Sequence, residues 1–88
     1  MNSVEIFGIN LRNLRLARGL TQEALAELAG IAYRHYQDIE AGRRPGLQVA
    51  TVDRLAMALG ESTPHLLEQG RFAEPEAKRG KRVYRIVR

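Results

Sequence analysis

The chain has 88 residues, a formal net charge of +4 and no cysteine. It therefore fits one small domain that takes its stability from an apolar core, and it excludes disulfides and thiolate chemistry. No apolar run approaches the roughly 18 residues of a membrane span and no signal peptide is visible, so we expect a cytoplasmic protein.

Apolar residues recur at helical spacing in five stretches, and a glycine follows each of them. Glycine is common just past a helix end because it readily adopts positive φ. The pattern predicts helices over residues 4–18, 22–29, 33–41, 50–59 and 63–69. The candidate core residues are Phe7, Leu11, Leu14, Leu25, Ala26, Ala29, Tyr36, Ile39, Val52, Leu55, Ala56 and Leu59.

A short turn around Gly30 joins the second and third predicted helices. Ala26 is small at the point where two helices that cross near a right angle must touch, and Gly30 permits a sharp turn. The apolar side chains of Ile31, Tyr36 and Ile39 then fill the wedge between the helices. This arrangement projects the third helix from the surface, so that it can enter a major groove.

Five segments carry a family resemblance: LRNLR at 11–15, RGLTQE at 18–23, LAELAGI at 25–31, IEAGRR at 39–44 and LAMALG at 55–60. Together they resemble the Cro/cI-type (XRE) helix-turn-helix family, which includes phage repressors, antitoxins and restriction-modification controller proteins. The resemblance implies an all-α, five-helix lambda-repressor-like domain over residues 1–70, with a basic C-terminal extension over 71–88. It also implies a prokaryotic or phage-type regulator that binds double-stranded DNA at the nucleoid.

The resemblance implies that the third helix faces base edges. Arg34 is the expected sequence reader, through paired hydrogen bonds to guanine O6 and N7. Ala32 or the ring of Tyr33 is expected to pack on a thymine methyl group. Gln37 and Asp38, one turn further on, are expected to reach other bases or phosphates.

Phosphate contacts are expected on both sides of this helix. By resemblance, Gln22 at the start of the second helix bonds a phosphate, helped by the helix N-terminus. Arg43 and Arg44, after the third helix, hold the DNA backbone. For Asp38 there is an alternative to DNA contact, an i,i+4 ion pair that aims Arg34.

Three positions near the third helix concern its structure. By resemblance, Arg15 pairs with Glu40 as a structural ion pair away from DNA. The family usually has Ser or Thr in place of Ala32, so this helix lacks a side-chain cap. It usually has an aliphatic residue in place of Tyr36, whose buried hydroxyl needs a partner.

The expected function is that of a transcriptional regulator that reads a partly palindromic operator as a homodimer. Helix-turn-helix dimers place their recognition helices roughly 34 Å apart, one turn of DNA. The candidate dimer interface is either the fifth helix, with Leu66 and Leu67, or the C-terminal stretch Val83–Val87.

The basic charge lies at the C-terminal end: residues 1–70 hold seven Arg and no Lys against eight acidic residues, whereas residues 71–88 hold seven Lys and Arg against two Glu. Lys78, Arg79, Lys81 and Arg82 form either an arm for DNA or a protein partner, or a solvated charged terminus. Residues 72–81 are typical of a linker. The last residues have a β-like composition, which leaves a strand, a pairing surface or a disordered end open. The alternative function is an antitoxin-like interaction module whose tail binds a partner, with DNA binding for autoregulation.

Enzymatic and metal-binding functions have little support in the sequence. His35 and His65 are far apart and lack partners at ligand spacing. No residues form the pattern of a nucleophile with a base and an orienting group. We therefore expect no enzyme, no cofactor and no metal.

Overall fold

The computed structural model describes residues 1–43 and 46–75, and this part of the chain is all-helical. The helices are α1 (Ser3–Ala17), α2 (Gln22–Ala29), α3 (Tyr33–Glu40), α4 (Val49–Leu59) and α5 (Thr63–Leu66). The predicted all-α, five-helix fold is confirmed, and the first four helices begin and end within one residue of the predicted bounds. None of the described helices is long and apolar enough to cross a membrane. The stretch Val83–Val87 lies outside the described residues.

Short polar side chains start α1, α2 and α5. Asn2 and Glu5 form a capping box, in which each side chain accepts a hydrogen bond from the backbone N–H of the other residue. Thr21 Oγ1 accepts from the backbone N–H of Ala24 at 3.0 Å and so caps the start of α2. Ser62 likewise caps α5, where Pro64 lies in the first turn. These hydrogen bonds satisfy backbone N–H groups in the first turn of each of the three helices.

The core forms where α1, α2 and α4 turn their apolar sides inward. Helix α1 contacts α3 and α5, and α2 contacts α3 and α4. Every predicted core residue is buried, and Leu66 of α5 joins them with no exposed surface. Leu66 was expected at a dimer interface. That expectation is wrong for this residue, because the fold itself already covers its side chain.

Two buried asparagines on α1 hold the segment that follows α5. Asn10 Nδ2 donates to the carbonyls of Leu66 at 2.8 Å and Glu68 at 3.0 Å. Asn13 Nδ2 donates to the carbonyl of Phe72 at 2.8 Å. A continuing helix would use the Leu66 carbonyl for a backbone bond, so the amide of Asn10 explains why α5 stops there and not at the predicted residue 69. Phe72, expected in a linker, packs against the core.

Gly8 allows α1 to approach the end of α3 closely. A Cβ at this position would lie 2.6 Å from the carbonyl oxygen of Glu40 and 2.8 Å from that of Ile39. Both are backbone atoms, so relief requires one helix to move away from the other.

Gly8→Ala is therefore expected to lower the free energy of unfolding by about 1–3 kcal/mol, the usual cost of overpacking. Helix propensity alone predicts a gain of about 1 kcal/mol, since alanine is the better helix former. Urea denaturation shows whether the free energy of unfolding falls or rises. Gly46→Ala is the control, because nothing lies within 4 Å of a Cβ there. Unchanged or increased stability for Gly8→Ala would show that the α1–α3 contact is loose.

Candidate nucleic-acid interface

The turn between α2 and α3 is fixed by the left-handed conformation of Gly30. This residue has φ of 72° and ψ of 35° and closes α2, with its N–H bonded to the carbonyls of Ala26 and Glu27. The N–H of Ile31 also bonds the carbonyl of Ala26, at 3.0 Å. Because these bonds satisfy the end of α2, the chain turns sharply and α3 starts three residues later.

The two sides of α3 differ in burial. Tyr36 and Ile39 face the core with no exposed surface. At 100° per residue, Tyr33, Arg34, Gln37 and Asp38 lie on the other side. Arg34 is exposed, Tyr33 is 43% exposed, and Gln37 and Asp38 are partly buried. We call these four residues the outer face of α3. It contains both hydrogen-bond donors and acceptors of the kind that read base edges.

One expected role for Asp38, an i,i+4 ion pair with Arg34, is not seen in the structure. Arg43, from the loop after α3, donates to Asp38 Oδ1 through Nη2 at 3.2 Å and through Nε at 3.4 Å. The alternative pair between Asp38 and Arg34 does not form, and Asp38 pairs with Arg43 instead. The side chain of Arg34 makes no hydrogen bond or ion pair with any described residue, and its guanidinium is free to meet a ligand.

The N-terminus of α3 has no side-chain cap. Ala32 has the extended backbone of an N-cap residue, with φ of −66° and ψ of 142°, but its methyl group accepts no hydrogen bond. The first backbone N–H groups of α3 therefore have no side-chain acceptor, and they form the positive end of the helix dipole. Such an end favours an anion.

Ala32→Ser is expected to raise the free energy of unfolding by about 1 kcal/mol, because the backbone already has cap geometry and a hydroxyl would satisfy one free N–H. Thermal unfolding followed by circular dichroism measures the change. Gln48→Ser, at the other described N-cap that lacks a side-chain bond, is the matched variant and should show a gain of similar sign. A loss of stability in Ala32→Ser alone would mean that the start of α3 has no room for the hydroxyl.

Behind the outer face, Glu40 joins three helices. Arg15 of α1 donates to its carboxylate through Nε at 2.8 Å and through Nη2 at 2.9 Å, and Gln22 of α2 donates to Oε2 at 3.0 Å. The hydroxyl of Tyr36, one turn earlier on α3, donates to Oε1. Arg15 also donates to the carbonyl of Leu20 at 2.9 Å. The Arg15 and Glu40 side chains are only 10% and 6% exposed, so this pair is internal.

The ionisation of this cluster follows from burial and its hydrogen bonds. Burial by itself would raise the pKa of Glu40, but the hydrogen bonds from Arg15 and Tyr36 outweigh it and hold the pKa below its ordinary value. Hydrogen bonding to Glu40 raises the pKa of Arg15. Burial, followed by the bond to the Glu40 carboxylate, raises the pKa of Tyr36 far above its ordinary value. The cluster is therefore an ionised pair with a neutral tyrosine.

The position of Gln22 depends on this cluster. It is the first residue of α2, and its amide nitrogen donates to Glu40. The next residue, Glu23, is exposed. An amide nitrogen carries two N–H donors, so the bond to Glu40 leaves the other donor available. No local pattern indicates that Gln22 and Glu40 touch, since 18 residues separate them in the chain.

Several sequence-predicted residues lie elsewhere or outside the described part of the chain. Arg44 and the arm residues Lys78, Arg79, Lys81 and Arg82 are not among the described residues. Within the described ranges, no three His, Cys, Asp or Glu side chains gather in a way that could hold a metal ion. His65 Nδ1, on α5, lies 3.5 Å from Oε1 of Glu61, in the loop between α4 and α5.

Comparison with known proteins agrees with this geometry. A family model described as a helix-turn-helix domain matches residues 6–71. Over 67 residues, the chain is 36% identical to the uncharacterised HTH-type transcriptional regulator y4dJ of Sinorhizobium fredii, and the match covers 76% of this chain and 86% of that protein.

Two solved structures share the fold. The restriction-modification controller protein C.AhdI from Aeromonas hydrophila has a TM-score of 0.67 and 36% identity, with 72% of this chain and 94% of that chain covered. The hypothetical transcription factor NHTF from Neisseria has a TM-score of 0.71 and 25% identity, with 91% and 84% covered. These relatives are named as regulators and not as enzymes. The chain therefore belongs to the helix-turn-helix family of Cro/cI (XRE) type, whose members are DNA-binding transcriptional regulators.

Proposed function

We propose that the protein reads a specific double-stranded operator by placing the outer face of α3 in the major groove. The observation that carries this proposal is Arg34, an exposed guanidinium on that face without a partner among the described residues. Arginine makes the commonest base-specific contact in DNA complexes, to guanine O6 and N7. An arginine that serves only folding would more commonly be paired, as Arg15 is.

The surroundings of α3 suit the DNA backbone on either side of the groove. Gln22 and the N-terminus of α2 offer N–H donors to one phosphate, and the uncapped N-terminus of α3 offers others. Arg43 follows α3 and is exposed enough to reach a phosphate on the far side. Phosphate contacts of this kind set the register of the helix, while the bases give the specificity.

We further propose that the active form is a homodimer on a partly palindromic operator. Helix α3 has 8 residues, which makes it about 12 Å long. It can therefore face only about three or four base pairs, at roughly 3.4 Å per step. Two copies double the sequence that is read, and two-fold symmetry requires inverted half-sites. Leu67 is exposed beside the buried Leu66 and is the described residue that we assign to the dimer contact. A regulator of this kind acts in the cytoplasm, at the nucleoid.

Selection of bound sequences from a randomised duplex library at physiological salt tests the proposal. We expect an enriched motif with two inverted half-sites about one helical turn apart. Enrichment of a single half-site would support base reading but contradict the dimer. Weak, salt-sensitive binding without enrichment would contradict sequence-specific reading, because phosphate contacts alone give that behaviour.

A further inference from the structure

Asp38 is an acidic residue on a face that otherwise suits DNA. It lies one helical turn after Arg34, and its side chain is 26% exposed. Both hydrogen bonds that it accepts come from Arg43 and end on the same oxygen, Oδ1. Within the described part of the chain, no donor reaches Oδ2. A carboxylate oxygen that can accept a further hydrogen bond is thus available on the outer face of α3.

The ion pair with Arg43 compensates the negative charge of Asp38 only in part. The Arg43 side chain is 66% exposed, and exposed ion pairs of this kind are weak and screened by salt. Arg43 also has more N–H donors than the two that Asp38 occupies. It can therefore keep contact with Asp38 while its remaining donors face a phosphate, and the carboxylate need not approach DNA as a bare charge.

The chemistry of an ionised carboxylate limits what it can meet in a major groove. It accepts hydrogen bonds and donates none. Guanine O6 and N7 and thymine O4 are acceptors and would repel it, whereas the N4 amino group of cytosine is a donor that aspartate can accept from. The N6 amino group of adenine is also a donor, but it lies beside the acceptor N7 of the same base. A carboxylate on the outer face thus favours cytosine over adenine and penalises guanine and thymine.

We propose that Asp38 is a specificity-determining residue, which accepts a hydrogen bond from the N4 amino group of a cytosine in the operator and disfavours DNA that presents only acceptors there. Arg43 bridges Asp38 to the neighbouring phosphate and so reduces the electrostatic cost of bringing the carboxylate to DNA. The inference rests on the proposed function, since α3 has to lie in the major groove for Asp38 to meet a base.

The test compares the full-length protein with Asp38→Asn by sequence selection and by affinity for a random duplex. We expect the natural protein to prefer cytosine roughly tenfold at one position of each half-site. Asp38→Asn should lose this preference, because an amide can both donate and accept. It should also bind the random duplex more tightly, since a repulsive charge has gone.

Glu27→Gln is the matched control, because it removes one exposed acidic charge from α2. It should keep the cytosine preference. Arg43→Ala is the second variant: it should weaken binding to all sequences and leave the cytosine preference in place, as expected for a phosphate contact.

The outcomes separate this inference from the proposed function. If the natural protein selects an operator but Asp38→Asn selects the same bases, Asp38 reads nothing and the inference is overturned while the proposed function stands. Equal binding of the random duplex by Asp38→Asn and Glu27→Gln would overturn the part of the inference in which Asp38 disfavours other DNA. If the natural protein selects no operator, both are overturned.

Discussion

Arg34→Ala is expected to weaken binding to the selected operator by about 1–3 kcal/mol and to relax the preference at one base position in each half-site. The guanidinium of Arg34 forms no hydrogen bond or ion pair with the described residues, so its loss should leave the fold intact. Binding to a random duplex should fall less, because only the base contact is specific. Fluorescence anisotropy titrations of the operator, of single-base variants and of a random duplex measure all three effects.

Arg71→Ala is the control for charge. Arg71 lies after α5 and pairs with Glu68 at 3.2 Å, so its removal lowers the net charge by the same amount away from α3. It should weaken both kinds of binding slightly and equally. If Arg34→Ala loses equal affinity for operator and random DNA, Arg34 contacts a phosphate and another residue reads the base.

Glu40→Gln is expected to give the largest loss of stability, about 3–5 kcal/mol, because it leaves the guanidinium of Arg15 buried without its counter-charge. Arg15 is only 10% exposed and cannot simply turn to solvent. Urea denaturation gives the free energy of unfolding. Glu27→Gln removes an exposed carboxylate and should change stability by less than about 0.5 kcal/mol. A similarly small change in Glu40→Gln would mean that the cluster adds nothing to the fold.

The ionised carboxylate of Glu40 makes part of the protein's stability sensitive to acid. The folded protein holds the pKa of Glu40 below its ordinary value of 4.5. The stabilisation is therefore complete above that ordinary value and is lost as the pH falls through the lower pKa of the folded state. Urea midpoints measured from about pH 7 down to pH 3 should fall more steeply in the natural protein than in Glu40→Gln. Parallel curves would show that other carboxylates dominate the acid response.

The sequence was sufficient for features that depend on neighbouring residues. Thr21 caps α2, Gly30 ends it, and Tyr36 and Ile39 lie on the buried side of α3, because caps, positive φ and helical spacing are local properties. The need of Tyr36 for a hydroxyl partner was also foreseeable, although the partner, Glu40, became clear only in the structure.

Features that depend on distant residues could not be read from local patterns. Nothing around Gly8 indicates that the end of α3 lies against it. Asn10 and Asn13 look like ordinary polar residues of a helix, yet both are buried and bonded to carbonyls more than 50 residues away. The pair between Asp38 and Arg43 depends on how the chain turns after α3, whereas helical spacing alone had suggested Arg34. In each case the missing information was which segments meet in three dimensions.

The bonds from Asn10 and Asn13 also bear on when the protein can fold during its synthesis. They join the first helix to carbonyls 56 and 59 residues further along the chain. Until Phe72 has left the ribosome, the two amides of α1 have no backbone acceptors at these sites, and the nascent chain leaves one side of α1 uncovered. Local helices form quickly, but such distant contacts close late. The final packing of α1 is therefore expected only after the whole segment up to Phe72 has emerged, so α3, which packs against α1, becomes fixed in place late in folding.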